Sequence, residues 1–135
     1  MSDNVVIEKR GAGTKKTIVL TLSNPEERNA LTSKMREELL AALAAAGADP
    51  DVRAVMLRGE GEKAFCTGGS IADMAKLRTR DDCVATGRES AALLNALTDF
   101  PKPIVAAVSG WCVGHGFEIT LCCDLIYARS EEHHV

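Results

Sequence analysis

The stretch PIVAAVSGWCVGHGFEITLCCDLIY, Pro103 to Tyr127, decides how this chain is arranged. Its first part, Ile104 to Val108, is an unbroken apolar run, which predicts a strand buried on both faces of a sheet. The glycines of Gly114-His115-Gly116 then open a second apolar segment, which predicts a helix from about Gly114 to Cys122. This helix carries a single acid, Glu118, and burying a carboxylate is costly unless it has partners or a task. Glu118 is therefore the first candidate for a functional residue.

The rest of the chain alternates between predicted strands and predicted helices. The strands are expected at Val5 to Glu8, Thr17 to Thr21, Val52 to Leu57 and Leu125 to Ala128, with a hairpin loop at 11–16 between the first two. Amphipathic helices are expected from Thr32 or Ser33 to Gly47, with Leu31, Met35, Leu39, Leu43 and Ala46 on the buried face, and between Asp81 and Asp99. Although no internal repeat is evident, this order predicts an α/β fold with a largely parallel sheet.

Length and composition limit the classes of function. With 135 residues, of which 46% are hydrophobic and 26% charged, the chain fits one soluble domain, 1–135. A net charge of -3 lacks the basic footprint of a nucleic-acid-binding protein. No apolar stretch reaches the roughly 20 residues of a membrane span, and the start of the chain lacks the apolar core of a signal peptide. We therefore expect a cytoplasmic protein that binds neither nucleic acid nor membrane.

Neither the cysteines nor the histidines predict a metal or a disulfide. The five cysteines are odd in number and include no CxxC pair. The pair His133-His134 near the end of the chain is interpreted as part of a frayed terminus. A charged cluster between the two helices is interpreted as solvated surface, with contacts to an anionic ligand as the alternative; its members are Asp73, Lys76, Arg78 and Arg80.

Two segments bring glycines to the end of a predicted strand, Thr67-Gly68-Gly69-Ser70 and Gly114-His115-Gly116. If they converge, each can direct a backbone N–H at the same oxygen. Such donors stabilise a developing oxyanion, and the loss of one raises the barrier by ~3 to 4 kcal/mol in known cases. Taken alone, each segment is weak evidence for such a site, because tight turns need glycine in any case.

The combination of motifs resembles the crotonase family, whose best-known member is enoyl-CoA hydratase. The likeness lies in FCTGGSIADM at 65–74, PKPIVAAVSGWCVGHGFEITLCCDLIYA at 101–128 and LSNPEERNAL at 22–31, and it runs from about Val5 to Ala128. It implies a spiral of repeated ββα units, here truncated after about half of the catalytic domain, with 129–135 as a tail. It also implies a homotrimer or dimer of trimers at full length. The implied substrate is an acyl-CoA with no separate cofactor, since coenzyme A is part of that substrate.

The resemblance assigns roles to individual residues. It places two oxyanion donors on the backbone N–H groups of Gly69 and His115, and the first of two catalytic glutamates on Glu118. The residues that it places beside coenzyme A are Arg28, Asn29, Ala30 and Gly68. Asp124 matches a residue between helix and strand and is interpreted as structural.

Three departures from the family pattern stand out. His115 replaces the usual glycine, so its side chain narrows the acyl pocket, titrates near neutral pH or turns to solvent. Ser70 replaces the common aspartate, which leaves the anchoring of the loop after Gly69 unexplained. The second catalytic glutamate of the family lies further from Glu118 than this sequence extends.

The leading interpretation is an enoyl-CoA hydratase-type lyase with Glu118 as acid/base. Retention of this glutamate favours water addition over the decarboxylation and dehalogenation reactions of the family. One alternative is an enoyl-CoA isomerase, because a single glutamate can move a proton along an acyl chain. The other alternative is a truncated, non-catalytic fragment that binds coenzyme A or other subunits.

Overall fold

Three ββα units follow one another in the computed structural model, which describes residues 3–129. The elements are β1 Asn4–Ala12, β2 Lys15–Ser23, α1 Ser33–Ala48, β3 Val52–Gly59, β4 Ala64–Cys66, α2 Ile71–Met74, α3 Arg80–Thr98, β5 Ile104–Val108, β6 Trp111–Cys112, α4 His115–Leu121 and β7 Leu125–Ala128. The predicted order of strands and helices is confirmed. The repeat was not evident in the sequence because it lies in the topology, while the units differ in length and residues.

The strands form two sheets. The larger has five strands in the order β1-β2-β3-β5-β7, and the smaller pairs β4 with β6. Only β1 and β2 are antiparallel, whereas the other pairs run parallel. The second strand of each later unit thus leaves the main sheet, which produces the crotonase-like spiral. The predicted hairpin between the first two strands is confirmed, but its loop is shorter than 11–16, because β1 and β2 pair through Ala12 and Lys15.

Helix α1 begins and packs as predicted. The Thr32 hydroxyl accepts a hydrogen bond from the Met35 N–H at 3.2 Å, which satisfies one of the free donors of the first turn. All five predicted apolar positions of this helix face are buried. Gly47 does not end the helix, which continues to Ala48. The main core therefore lies between α1 and the sheet.

Strand β5 departs from the prediction of burial on both faces. Ile104, Ala106 and Val108 are buried, whereas Val105 and Ala107 are only half-buried. Val105 and Ala107 pair with Met56 and Arg58 of β3, which are also half-buried. An apolar run shows that a strand can be covered on both faces, but neighbouring layers decide whether it is.

Lys102 joins the end of α1 to the start of β5. Its ammonium group donates to the carbonyls of Ala46 and Asp49, at 2.7 and 2.5 Å, where helix carbonyls lack intrahelical partners.

Since hydrogen bonds to charged groups contribute about 1.5–3 kcal/mol, we expect Lys102→Met to lower the free energy of unfolding by that amount. Denaturant unfolding measures this loss. Arg10→Met, an exposed control, should change stability by less than about 0.5 kcal/mol; an equal loss in both variants contradicts the cap.

Candidate active site

The two glycine segments meet at one edge of the small sheet. Strands β4 and β6 run parallel and end with Cys66 opposite Cys112, so the following segments leave side by side. The Val113 N–H donates to the Cys66 carbonyl at 3.2 Å. A Cβ built on Gly68 would lie 3.7 Å from the His115 nitrogen. The fold thus brings together the segments whose convergence the sequence left open.

At this edge the backbone N–H groups of Gly69 and His115 have no acceptor among residues 3–129. The N–H group that follows each of them is used: Ser70 donates to the Leu31 carbonyl at 2.8 Å and Gly116 donates to the Val113 carbonyl at 3.0 Å. These bonds hold the backbone immediately after each free donor. The arrangement can present two fixed donors to one ligand oxygen.

Both donor residues line a cavity of about 890 Å³. Its walls come from the start of α1, from α2 and the segment after it, from α3 and from α4. Five apolar side chains line the wall formed by α2, the segment after it and α3: Ile71, Met74, Leu77, Ala91 and Leu94. An apolar wall beside fixed polar donors is typical of a small-molecule site.

Glu118 faces this cavity from the first turn of α4. The sequence suggested a buried carboxylate, but the side chain is 56% exposed. Helix α4 spans seven residues, and it buries Ile119 and Thr120 while Glu118 points away from the core. Glu118 therefore needs no buried partner and can reach a ligand in the cavity.

The His115 side chain turns into the cavity wall, so the solvent-facing alternative is wrong. It is 12% exposed, and its Nδ1 lies 3.6 Å from Glu118 Oε1. Burial of the ring lowers the pKa of His115 below its ordinary value of 6.5; Glu118 opposes this shift, while Arg36 adds to it. The imidazole is therefore neutral at pH 7.

Ser70 anchors the loop after Gly69 although it replaces an aspartate. Its buried hydroxyl donates to the Glu27 carboxylate, at 2.9 and 2.8 Å from the two oxygens, and accepts from the Asp73 N–H at 3.2 Å. Burial opposes ionisation of Glu27, but hydrogen bonds from Ser70, Asn24 and Ala72 outweigh it and lower the pKa of Glu27. The acid that the family places in the loop is thus supplied from the facing segment.

Acidification should weaken this anchor. In the folded chain the pKa of Glu27 lies below its ordinary value of 4.5. The ionised carboxylate therefore contributes fully to the free energy of unfolding above pH 4.5, and this contribution is lost as the pH falls through the folded pKa. We expect Glu27→Gln to lower the free energy of unfolding at neutral pH, with the difference from wild type shrinking toward pH ~3. Denaturant unfolding curves recorded between neutral pH and pH ~3 measure this difference in the free energy of unfolding. Glu26→Gln, which changes an exposed glutamate, is the control. A difference that is constant with pH contradicts the role of the charge.

The loop at 22–31 contains three of the residues that the resemblance places beside coenzyme A, and it offers the side chain of one of them to a ligand. Asn29 is 2% exposed, and its amide bonds the Glu60 and Ala64 carbonyls and the Asn24 N–H at 2.8 to 3.0 Å. Ala30 is also buried. Arg28 is exposed, although its φ of 50° is rare for a side-chain-bearing residue. Asn29 therefore holds the loop, and Arg28 alone remains available.

Several other sequence interpretations can be located. The charged cluster divides: Asp73 and Lys76 line the cavity, whereas Arg78 and Arg80 are exposed residues that do not line it. Asp124 is structural, since its carboxylate accepts from the Ile104 N–H at 2.9 Å. Within residues 3–129 no group of His, Cys, Asp or Glu side chains is placed to hold a metal, and no helix is long and apolar enough to cross a membrane. His133 and His134 lie outside the described residues.

Sequence reasoning missed Arg36, a buried cation on the cavity wall. Its side chain is 4% exposed and pairs with Glu89 of α3 at 3.3 Å. The signal was its spacing, because Arg36 lies three residues before Leu39 and four after Thr32, on the buried face of α1. A charged residue on that face requires a partner on another element, which the helix pattern does not identify.

Comparison with known proteins places the chain and its fold in one family. The sequence model of the enoyl-CoA hydratase/isomerase family matches residues 13–134. The chain is 36% identical to the short-chain-enoyl-CoA hydratase of Clostridium acetobutylicum, covering 95% of this chain and 47% of the relative. It is 40% identical to the (E)-benzylidenesuccinyl-CoA hydratase of Thauera aromatica, covering 82% of this chain and 43% of the relative.

A solved structure of an enoyl-CoA hydratase has the same fold as this chain. The crystal structure of an enoyl-CoA hydratase from Polaromonas superposes with a TM-score of 0.82 at 35% identity, covering 96% of this chain and 50% of the other. The chain therefore belongs to the enoyl-CoA hydratase/isomerase family. It spans about half the length of the relatives that it matches.

Proposed function

We propose that this chain carries the thioester-binding half of an enoyl-CoA hydratase, which adds water to an α,β-unsaturated acyl-CoA. One observation carries the proposal: the acceptor-free N–H groups of Gly69 and His115 line the same cavity as Glu118. A thioester carbonyl between these donors would develop enolate character. The acid/base side chain would then stand beside the activated double bond.

The proposed chemistry follows from these positions. With the carbonyl oxygen held by two N–H groups, Cβ becomes electrophilic because the π electrons shift toward the carbonyl. Glu118 takes a proton from water as the water oxygen bonds to Cβ, and a proton must then be delivered to Cα. A second acid for that delivery is not identified among residues 3–129.

The cavity also supports an assignment of the substrate's two ends. The apolar wall formed by α2 and α3 suits a hydrocarbon acyl group. The exposed guanidinium of Arg28 suits the phosphates of coenzyme A. No separate cofactor enters this proposal, because coenzyme A arrives with the substrate.

Assembly and location belong to the same proposal. A cytoplasmic homotrimer, or a dimer of trimers, is expected of the full-length protein by its resemblance to the family. Strand β7 is consistent with further association, since Leu125, Ile126 and Tyr127 are exposed. Light scattering of the purified protein measures its oligomeric state.

Isomerisation and binding without catalysis are the two rival functions. A single identified glutamate favours the isomerase, because that reaction needs one proton carrier. The exposed apolar residues of β7 favour the non-catalytic fragment, because such patches mark contact surfaces. Products formed from matched 2-enoyl and 3-enoyl thioesters distinguish hydration from isomerisation.

The direct test uses crotonyl-CoA and the purified chain. Hydration removes the conjugated double bond, so the absorbance of the enoyl thioester should fall with time. Titration with a non-reactive acyl-CoA measures binding separately. Binding without turnover supports the non-catalytic alternative, and the absence of both contradicts the proposed function for this chain.

A further inference from the structure

Two ionisable side chains of α4 face one another at the cavity. His115 and Glu118 are three residues apart, the spacing at which side chains meet on one helix face. The imidazole is mostly buried, and the carboxylate is mostly exposed. One member of the pair is therefore fixed by packing, while the other can move toward a ligand.

Arg36 of α1 completes the surroundings of the imidazole. It lines the same cavity, and its charge disfavours a proton on His115. Its Nη2 pairs with Glu89 at 3.3 Å and its Nη1 donates to the Leu31 carbonyl at 3.3 Å. Arg36 Nε and His115 Nε2 are both buried without a hydrogen-bond partner among the described residues. Arg36 is thus held in place by groups other than His115.

These contacts select one form of the imidazole. A neutral histidine carries its proton on one ring nitrogen, and an ionised carboxylate can only accept. The carboxylate of Glu118 lies on the Nδ1 side, so the proton belongs on Nδ1. Burial and the charge of Arg36 oppose a second proton and lower the pKa of His115, against the influence of Glu118.

We propose that neutral His115 positions Glu118 by donating its Nδ1–H to Oε1, which leaves Oε2 to face the attacking water. The inference rests on the proposed hydration. The distance of 3.6 Å exceeds a direct hydrogen bond, but such bonds are often long before ligand binds and shorten in the complex. The exposed Glu118 side chain can close this gap by a small rotation. His115 thereby serves the reaction through its side chain as well as through its backbone N–H.

The charged groups around His115 define its pH response. Glu118 faces it from α4 and Arg36 from α1, while Asp73 and Lys76 line the same cavity and Glu89 of α3 pairs with Arg36. Protonation of His115 would turn its contact with Glu118 into an ion pair and make that carboxylate a weaker base. Turnover should therefore fall on the acid side as His115 takes up a proton.

The contact is tested by nitrogen NMR of the chain labelled with ¹⁵N-histidine. The chain has three histidines, and the His115 signal is identified by its loss in His115→Asn. We expect the Nδ1–H tautomer at neutral pH, a higher His115 pKa in Arg36→Met and a lower one in Glu118→Gln. Arg10→Met, which removes the same charge outside the cavity, should leave the titration unchanged. An Nε2–H tautomer, or a titration that is insensitive to Glu118→Gln, overturns the proposal.

Kinetics test the positioning role. His115→Leu should lower kcat for crotonyl-CoA by about 10- to 100-fold with little change in KM, the order expected when a reacting group is misplaced. His115→Asn, which keeps a side-chain N–H near the Nδ1 position, should recover most of the activity. Equal activity of wild type and His115→Leu overturns positioning. If wild type and both His115 variants are inactive, the proposed function is contradicted. The tautomer and the titration of His115 then still show whether its side chain contacts Glu118.

Discussion

Glu118→Gln is expected to reduce turnover of an enoyl thioester by about 10²- to 10⁴-fold, the usual contribution of one general acid or base. The amide keeps the size and polarity of the side chain but cannot take a proton from water. Because the side chain is 56% exposed and outside the core, its loss should leave the free energy of unfolding nearly unchanged. Affinity for a non-reactive acyl-CoA should also be kept, because the proposed binding donors are backbone N–H groups. The measurements are the fall of enoyl absorbance, ligand titration and denaturant unfolding.

Glu37→Gln provides the matched control. Glu37 is an exposed glutamate of α1 and does not line the cavity. It should retain wild-type turnover, so any loss specific to Glu118→Gln reports on the cavity. If Glu118→Gln turns over as fast as wild type, the acid/base role is wrong, whatever the fate of the binding site.

Gly116→Ala is expected to damage stability and the site together. A Cβ at this position would lie 2.3 Å from the Cys66 carbonyl oxygen and 2.9 Å from its carbonyl carbon. Since these are backbone atoms of β4, relief requires α4 to move away from the small sheet. Overpacking of this kind lowers stability by about 1–3 kcal/mol, occasionally more. The shift also displaces the His115 N–H from Gly69, so acyl-CoA affinity should fall as well.

Gly87→Ala is the control for glycine replacement in a helix. Nothing lies within 4 Å of a Cβ built there, and alanine favours an exposed helix interior by up to about 1 kcal/mol over glycine. This variant should therefore be slightly more stable than wild type. Wild-type stability and acyl-CoA affinity in Gly116→Ala would contradict the tight contact between α4 and β4.

Local chemistry made much of the fold predictable. The apolar spacing of α1 and its Thr32 cap depend on neighbours along the chain, and both are present in the structure. The run from Ile104 to Val108 likewise forms a strand. Periodicity and capping act over a few residues, so they can be recognised without knowing what packs against them. What covers the second face of β5 depends on distant elements, and there the prediction failed.

In the candidate site, too, the residues with local motifs were predictable, whereas those that depend on distant partners were not. Gly69, His115 and Glu118 were identifiable because their motifs are local and characteristic. Glu27 and Arg36 were not, since their roles depend on partners 43 and 53 residues away in sequence, Ser70 and Glu89. Nothing adjacent to either residue in the sequence specifies these pairings.

The sequence by itself determined the family, the alternation of strands and helices, and the residues for which we propose an oxyanion site. Only the tertiary structure decided that the two glycine segments share one cavity, that Glu118 is exposed and that His115 turns inward toward it. The physical reason is the distance along the chain over which each kind of interaction acts. Backbone propensity and side-chain periodicity are written over a few neighbouring residues, whereas burial, charge pairing and the direction of a side chain depend on elements brought together from across the chain.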